Sequence, residues 1–130
     1  MAFSTGGRRG VHLQAALRLP IHGLDAAYSV QNVAWDGHRA GLHILWPGYS
    51  AWSLSDALTS HAKYGGQQTL AGLANQVARS FQQFYNDVQA TELIEHAWRL
   101  QNVPFENLYL VELRMVTRSS WQPIICARLR

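Results

Sequence analysis

The sequence predicts an α+β domain of two layers, a mostly antiparallel sheet in the order βββ-ααα-ββ packed on two or three helices. Three observations carry this expectation. Between Thr69 and Leu100, the residues Leu70, Leu73, Val77, Phe81 and Phe84 recur at steps of three and four, which sets them on one stripe of a helix. Val11 to Leu19 and Leu108 to Val116 alternate with the period of half-buried strands. An apolar run ending in Ile124 and Ile125 follows a polar stretch, as the return strand of a hairpin does. Burying the helical stripe stabilises by about 1.5–3 kcal/mol per large side chain, so that helix is expected to lead the core.

Taken in order, residues 1–9 carry glycine and arginine without an apolar run and are expected to form a flexible arm, with residues 10–130 as a single domain. Val11, Leu13, Ala15, Leu17 and Leu19 alternate with His12, Gln14, Ala16 and Arg18, giving a strand closed by Pro20. The Asp36-Gly37 pair is a strong turn signal and predicts a hairpin of Val30 to Trp35 with Arg39 to Trp46, ended by Pro47-Gly48. Ser53, with Asp56 three residues on, has the form of a capping box, so a helix is expected from Leu54 to about Tyr64, stopped by Gly65-Gly66. The central helix runs from about Thr69. An unbroken helix to Leu100 is long for so small a domain, and a break near residues 86–90 divides it in two. Leu108 to Val116 and Trp121 to Leu129 form a second hairpin around Thr117 to Ser120. Pro123 lacks an N–H for the ladder, which puts the return strand at a sheet edge or starts its pairing after the proline.

Composition narrows the function classes. A length of 130 residues with 48% hydrophobic content supports one packed core. There is no run of 18 apolar residues to span a membrane. The N-terminal stretch has no apolar segment suited to a secretory signal. Cys126 is the single cysteine, which excludes an intramolecular disulfide and fits a cytoplasmic setting. The formal charge is +3, and every basic residue but Lys63 is an arginine, but these residues are scattered where a nucleic-acid footprint is clustered.

The chemistry-bearing residues do not assemble into a catalytic motif. Six histidines are present, but no two stand at the i, i+4 spacing that two metal ligands on one helix use, and neither HExxH nor CxxC occurs, so no metal or other cofactor is expected. Cys126 lies in an apolar Pro-Ile-Ile-Cys-Ala setting suited to an inert thiol, and there is no GxSxG elbow. Glu112, between Val111 and Leu113 on a strand, is the carboxylate best placed for a perturbed environment, with pairing to a neighbouring arginine expected.

The expected function is therefore a small non-enzymatic binding protein, homo-oligomeric, and no catalytic residue is assigned. Its surface is the sheet face carrying His12, Arg18, His43, Glu112, Arg114 and Arg128, joined by a loop bearing Trp46, Tyr49 and Trp52. Leu45, Leu108, Leu110 and Ile124 share the parity of that face and make it apolar enough to need a cover, which is the ground for expecting a homodimer. The alternative is a pocket enzyme or small-molecule binder whose cavity is lined by Trp35, His43, Trp46 and His61 or Trp98. A third reading is RNA or single-stranded DNA binding through arginine and aromatic side chains.

Overall fold

The computed structural model describes residues 1–31, 39–46, 49–60, 67–88 and 103–128. Its elements run β1 (Ser4–Thr5), β2 (Arg8–Arg9), β3 (Val11–His12), α1 (Leu13–Ala16), β4 (Arg39–Ile44), β5 (Trp52–Thr59), α2 (Leu70–Val88), a 3-10 turn at Phe105–Asn107, β6 (Leu108–Thr117) and β7 (Ser120–Ala127). Strands β3-β6-β7-β4-β5 form a five-stranded sheet in that spatial order, and β1 and β2 form a separate two-stranded hairpin. All pairings are antiparallel except β4 with β7, which is parallel and joins the two hairpins β4–β5 and β6–β7 into one sheet.

The helical stripe organises the core. Leu70, Leu73, Val77, Phe81 and Phe84 are all buried along α2, against Leu42, Ile44, Leu58, Leu108, Leu110 and Leu113 of the sheet. Aromatic edges lock the contact, with Phe81 meeting Trp46 at 5.9 Å and Phe84 meeting Trp52 at 5.6 Å between ring centroids. After α2 the chain is tied back by Tyr85, whose hydroxyl donates to the Val103 carbonyl at 2.9 Å. Burial, with Glu106 and Tyr49 adding to it, pushes the Tyr85 phenol upward.

Four expectations are corrected. The strand Val11 to Leu19 ends at His12, because Leu13 and Ala16, three apart, turn into α1 and are both buried there, where Asn75 of α2 donates to the Ala16 carbonyl. The expected helix from Leu54 is strand β5. Leu54 and Leu58 stand four apart, a helical interval, but they lie opposite Leu42 and Ala40, two apart on β4. A bulge takes up the excess, with Asp56 in the left-handed region at φ 58°. In place of the hairpin Val30 to Trp35 with Arg39 to Trp46, β4 has β5 on one side and β7 on the other, and Val30 bridges Thr69. Finally, β7 is flanked by both β6 and β4, and Pro123 lies opposite Leu113 within the β6 ladder. Only the β4 ladder stops short of the proline, at Trp121. Residues 32–38 and the second helical segment beyond residue 88 lie outside the described residues.

Residues 1–9, expected as an arm, are held against the domain. Phe3 is fully buried, its N–H donates to the Val111 carbonyl at 3.0 Å, and Leu113 N–H donates to the Met1 carbonyl at 2.8 Å. The Gly6-Gly7 turn between β1 and β2 needs positive φ at both residues, 56° and 81°, which glycine supplies without steric cost. The Asp25 carboxylate reads that turn directly. It accepts from Gly7 N–H at 2.8 Å, Gly6 N–H at 3.1 Å and the Ser4 hydroxyl at 3.0 Å. These donors, the Gly7 amide first and the Ser4 hydroxyl second, outweigh partial desolvation and hold the Asp25 carboxyl below the usual carboxylate range.

Candidate functional site

The sheet face turned away from α2 is set by one bulge. Leu108 and Leu110 point into the core, and the extra residue at Val111 lets Leu113 do the same. Tyr109, Glu112 and Arg114 are left on the opposite side, against Cys126, Ile124 and Gln122 of β7. This overturns the expected parity, which had placed Leu108 and Leu110 on the polar face, and with it much of the apolar character that argued for a cover. Gln14 and Arg18 also leave the strand pattern, Gln14 to α1 and Arg18 to an exposed position in the turn after it.

Three clusters occupy the outer face. At its β3 end, the His12 ring lies 4.0 Å from the Tyr109 ring, and the Arg128 guanidinium carbon lies 4.5 Å from the same centroid. That arrangement uses a ring as a platform for a cation. In the middle, Arg114 pairs with Glu112. The guanidinium hydrogen bond is the main reason the Glu112 carboxyl sits below its ordinary range, and the N-terminal ammonium and Arg9 add to it. At the β5 end, His43 bridges two strands, with Ser53 Oγ 2.7 Å from Nδ1 and Ser120 Oγ 2.9 Å from Nε2. A neutral imidazole donates from one nitrogen and accepts at the other, so one hydroxyl donates and the other accepts. Both partners are hydroxyls. The cluster ties β5, β4 and β7 together across the sheet.

The remaining expected site residues fall elsewhere. Trp46 is buried, and Tyr49 and Trp52 are half-buried with their rings edge-on to Phe84, so these three aromatics pack on α2 and offer no exposed anchor. Of the residues expected to line a cavity, His43 lies on the outer face and Trp46 is buried toward α2; Trp35, His61 and Trp98 lie outside the described residues. Tyr109, Ser53 and Ser120 were not legible as site residues, because each is placed by a strand partner fixed by the bulge or by β5.

A concave site does exist between β4 and β7. The parallel ladder of β4 with β7 has its register pairs at Gly41 with Ser120 and Leu42 with Trp121. Beyond them, Ile44, Leu45 and Trp46 on one side and Pro123, Ile125 and Cys126 on the other flank a cavity of about 280 Å³, with Phe81 of α2 in its wall. Cys126, opposite Tyr109 on β6, is exposed and stands at the edge of this cavity. Among the described residues no group of three His, Cys, Asp or Glu side chains is close enough to hold a metal ion, and no helix is long and apolar enough to cross a membrane. Comparison with protein-family models, with curated proteins and with solved structures finds no match.

Proposed function

We propose that this chain is a non-enzymatic binding protein whose outer sheet face engages an acidic polypeptide. The reading takes sheet and helices as two layers, with the face opposite α2 left for a partner. It rests on one observation: that face and its margin carry Arg9, Arg114 and Arg128 against Glu112, so that after the Arg114–Glu112 pair the charges of Arg9 and Arg128 remain as the cationic excess. Such a surplus steers and orients a partner of opposite sign more than it adds raw affinity.

Charge and ring engagement favour this partner over a second copy of the chain and over nucleic acid. A homodimer that buried the face against itself would bring Arg114 and Arg128 of one copy toward those of the other, and like charges facing each other are costly. Single-stranded nucleic acid is bound by aromatic rings free to stack on bases, whereas the Tyr109 ring is already engaged by His12 and Arg128. Carboxylates need only the guanidinium groups, which bind them in planar, paired geometry.

The test is a fluorescence anisotropy titration of a fluorescein-labelled oligoglutamate peptide, with a single-stranded DNA of equal charge as the second arm. Saturable peptide binding that falls at least tenfold in an Arg114→Gln, Arg128→Gln variant, whose circular dichroism is unchanged, supports the reading. Tighter binding of the DNA, or equal peptide binding by the variant, overturns it.

A further inference from the structure

We infer that the cavity between β4 and β7 is a binding site for a neutral, bicyclic aromatic group of the indole or naphthalene class. The site rests on other residues than the acidic-partner reading: it reaches from Phe81 of α2 through the gap between the strands to Leu45 and Cys126, which by strand alternation belong to the outer side. It is a consequence of the topology. Two strands that run parallel for the pairs Gly41–Ser120 and Leu42–Trp121 then separate ahead of Pro123, a residue with no N–H to extend a ladder. The gap between them is closed from below by Phe81, which is fully buried and edge-on to Trp46.

Lining and size then select the ligand. No charged side chain lines the cavity among the described residues, and the polar groups there are the Trp46 indole and the Cys126 thiol. A charged ligand would lose its hydration with nothing to replace it, so the occupant is neutral. Apolar cavities of about 150 Å³ take benzene, and drug-sized pockets start near 300 Å³. At about 280 Å³ the space exceeds one ring and suits two fused rings. Aromatic walls add edge-to-face contacts that an aliphatic ligand of the same volume would not make. The group can arrive as a free molecule or as the tryptophan side chain of a peptide, and the chemistry of recognition is the same for both.

Cys126, the single cysteine of the chain, supplies the readout, because it is exposed and lines the cavity. The rate of its modification by a chromogenic disulfide is measured against increasing indole and, in a second arm, N-acetyl-tryptophanamide. Binding is expected to slow the reaction at least threefold, with saturation. Leu45 is 58% exposed beside the site, so Leu45→Glu leaves the core intact while placing a charge there; it is expected to weaken protection about tenfold. Ala127→Leu, which fills the space from β7, provides a second variant with the same expected loss. Tyr28→Ala, in a different apolar hollow beside Leu19 and Ala71, is expected to change nothing. Protection by indole assigns the site to free small molecules, and protection by the amide alone assigns it to a tryptophan side chain. No saturable protection by either probe, protection unchanged in both Leu45→Glu and Ala127→Leu, or protection lost in Tyr28→Ala overturns the assignment.

Discussion

Gly72, in the first turn of α2, sets two rules against each other. Alanine is favoured over glycine in a helix by up to about 1 kcal/mol, so Gly72→Ala should stabilise if helix propensity decides. The structure predicts the reverse. A Cβ at Gly72 would overlap Gln68 Oε1, so the Gln68 amide has to move. That amide is buried, with Gln68 only 3% exposed, and it is engaged at both ends. Its Nε2 donates to the Thr59 carbonyl at 3.1 Å and to the Thr59 hydroxyl at 3.3 Å, while Oε1 accepts from Thr69 N–H at 3.2 Å. Leaving a buried polar group unsatisfied costs about 1–3 kcal/mol, and the Gln68 amide is the group displaced, while the Thr59 hydroxyl keeps its bond from Gln76 Nε2 at 2.8 Å. The net expectation is a destabilisation of about 1–2 kcal/mol, read by urea unfolding with circular dichroism at unchanged m. The Gln68→Ala background removes the obstruction, so Gly72→Ala there is expected to be neutral or stabilising, a coupling of at least about 1 kcal/mol between the two sites. If Gly72→Ala raises the urea midpoint in the parent background, the argument from Gln68 is wrong.

Other consequences follow from the same packing. Phe81→Ala removes a fully buried ring that meets both Trp46 and Phe84, and is expected to cost about 3–5 kcal/mol by chemical denaturation, against less than about 0.5 for the exposed neighbour Gln82→Ala. Asp25 has a folded pKa below its unfolded one. Its contribution to stability is therefore complete above the unfolded carboxyl pKa and disappears as pH falls through the folded value. The melting temperatures of the parent and Asp25→Asn should differ at pH 7 and converge in acid. Asp56, at φ 58° in the β5 bulge, should tolerate Gly at no cost or a gain of a few tenths of a kcal/mol, whereas Val should destabilise by more than about 1 kcal/mol in the same denaturation assay.

The α2 stripe was legible because five apolar residues hold a 3.6-residue period over four turns, with no Gly or Pro competing among the later ones. The β6–β7 hairpin was legible for a similar reason, since Thr117 to Ser120 separates two apolar segments. β5 was hidden by its own bulge, because Ser53 with Asp56 imitates a helix cap and Leu54 with Leu58 imitates a helical step. The same physics blurred the site. Counting by twos along β6 is correct only as far as Val111, so Arg114 and Glu112 were placed on the outer face while Leu108 and Leu110 were wrongly joined to them. The cavity depends on where β4 and β7 part company, a contact between segments some 80 residues apart that no local pattern encodes.

If the outer sheet face is the proposed binding surface, a bound partner will perturb the amides of that face, which chemical-shift mapping reads residue by residue. The ¹⁵N-labelled protein is titrated with the oligoglutamate peptide at low salt. The shifts are expected to gather on Tyr109, Glu112, Arg114, Cys126 and Arg128, to reach His43 on β4, and to leave the exposed positions of α2 such as Gln82 and Gln83 unmoved. Shifts concentrated on α2, or spread evenly over every exposed arginine, would contradict it.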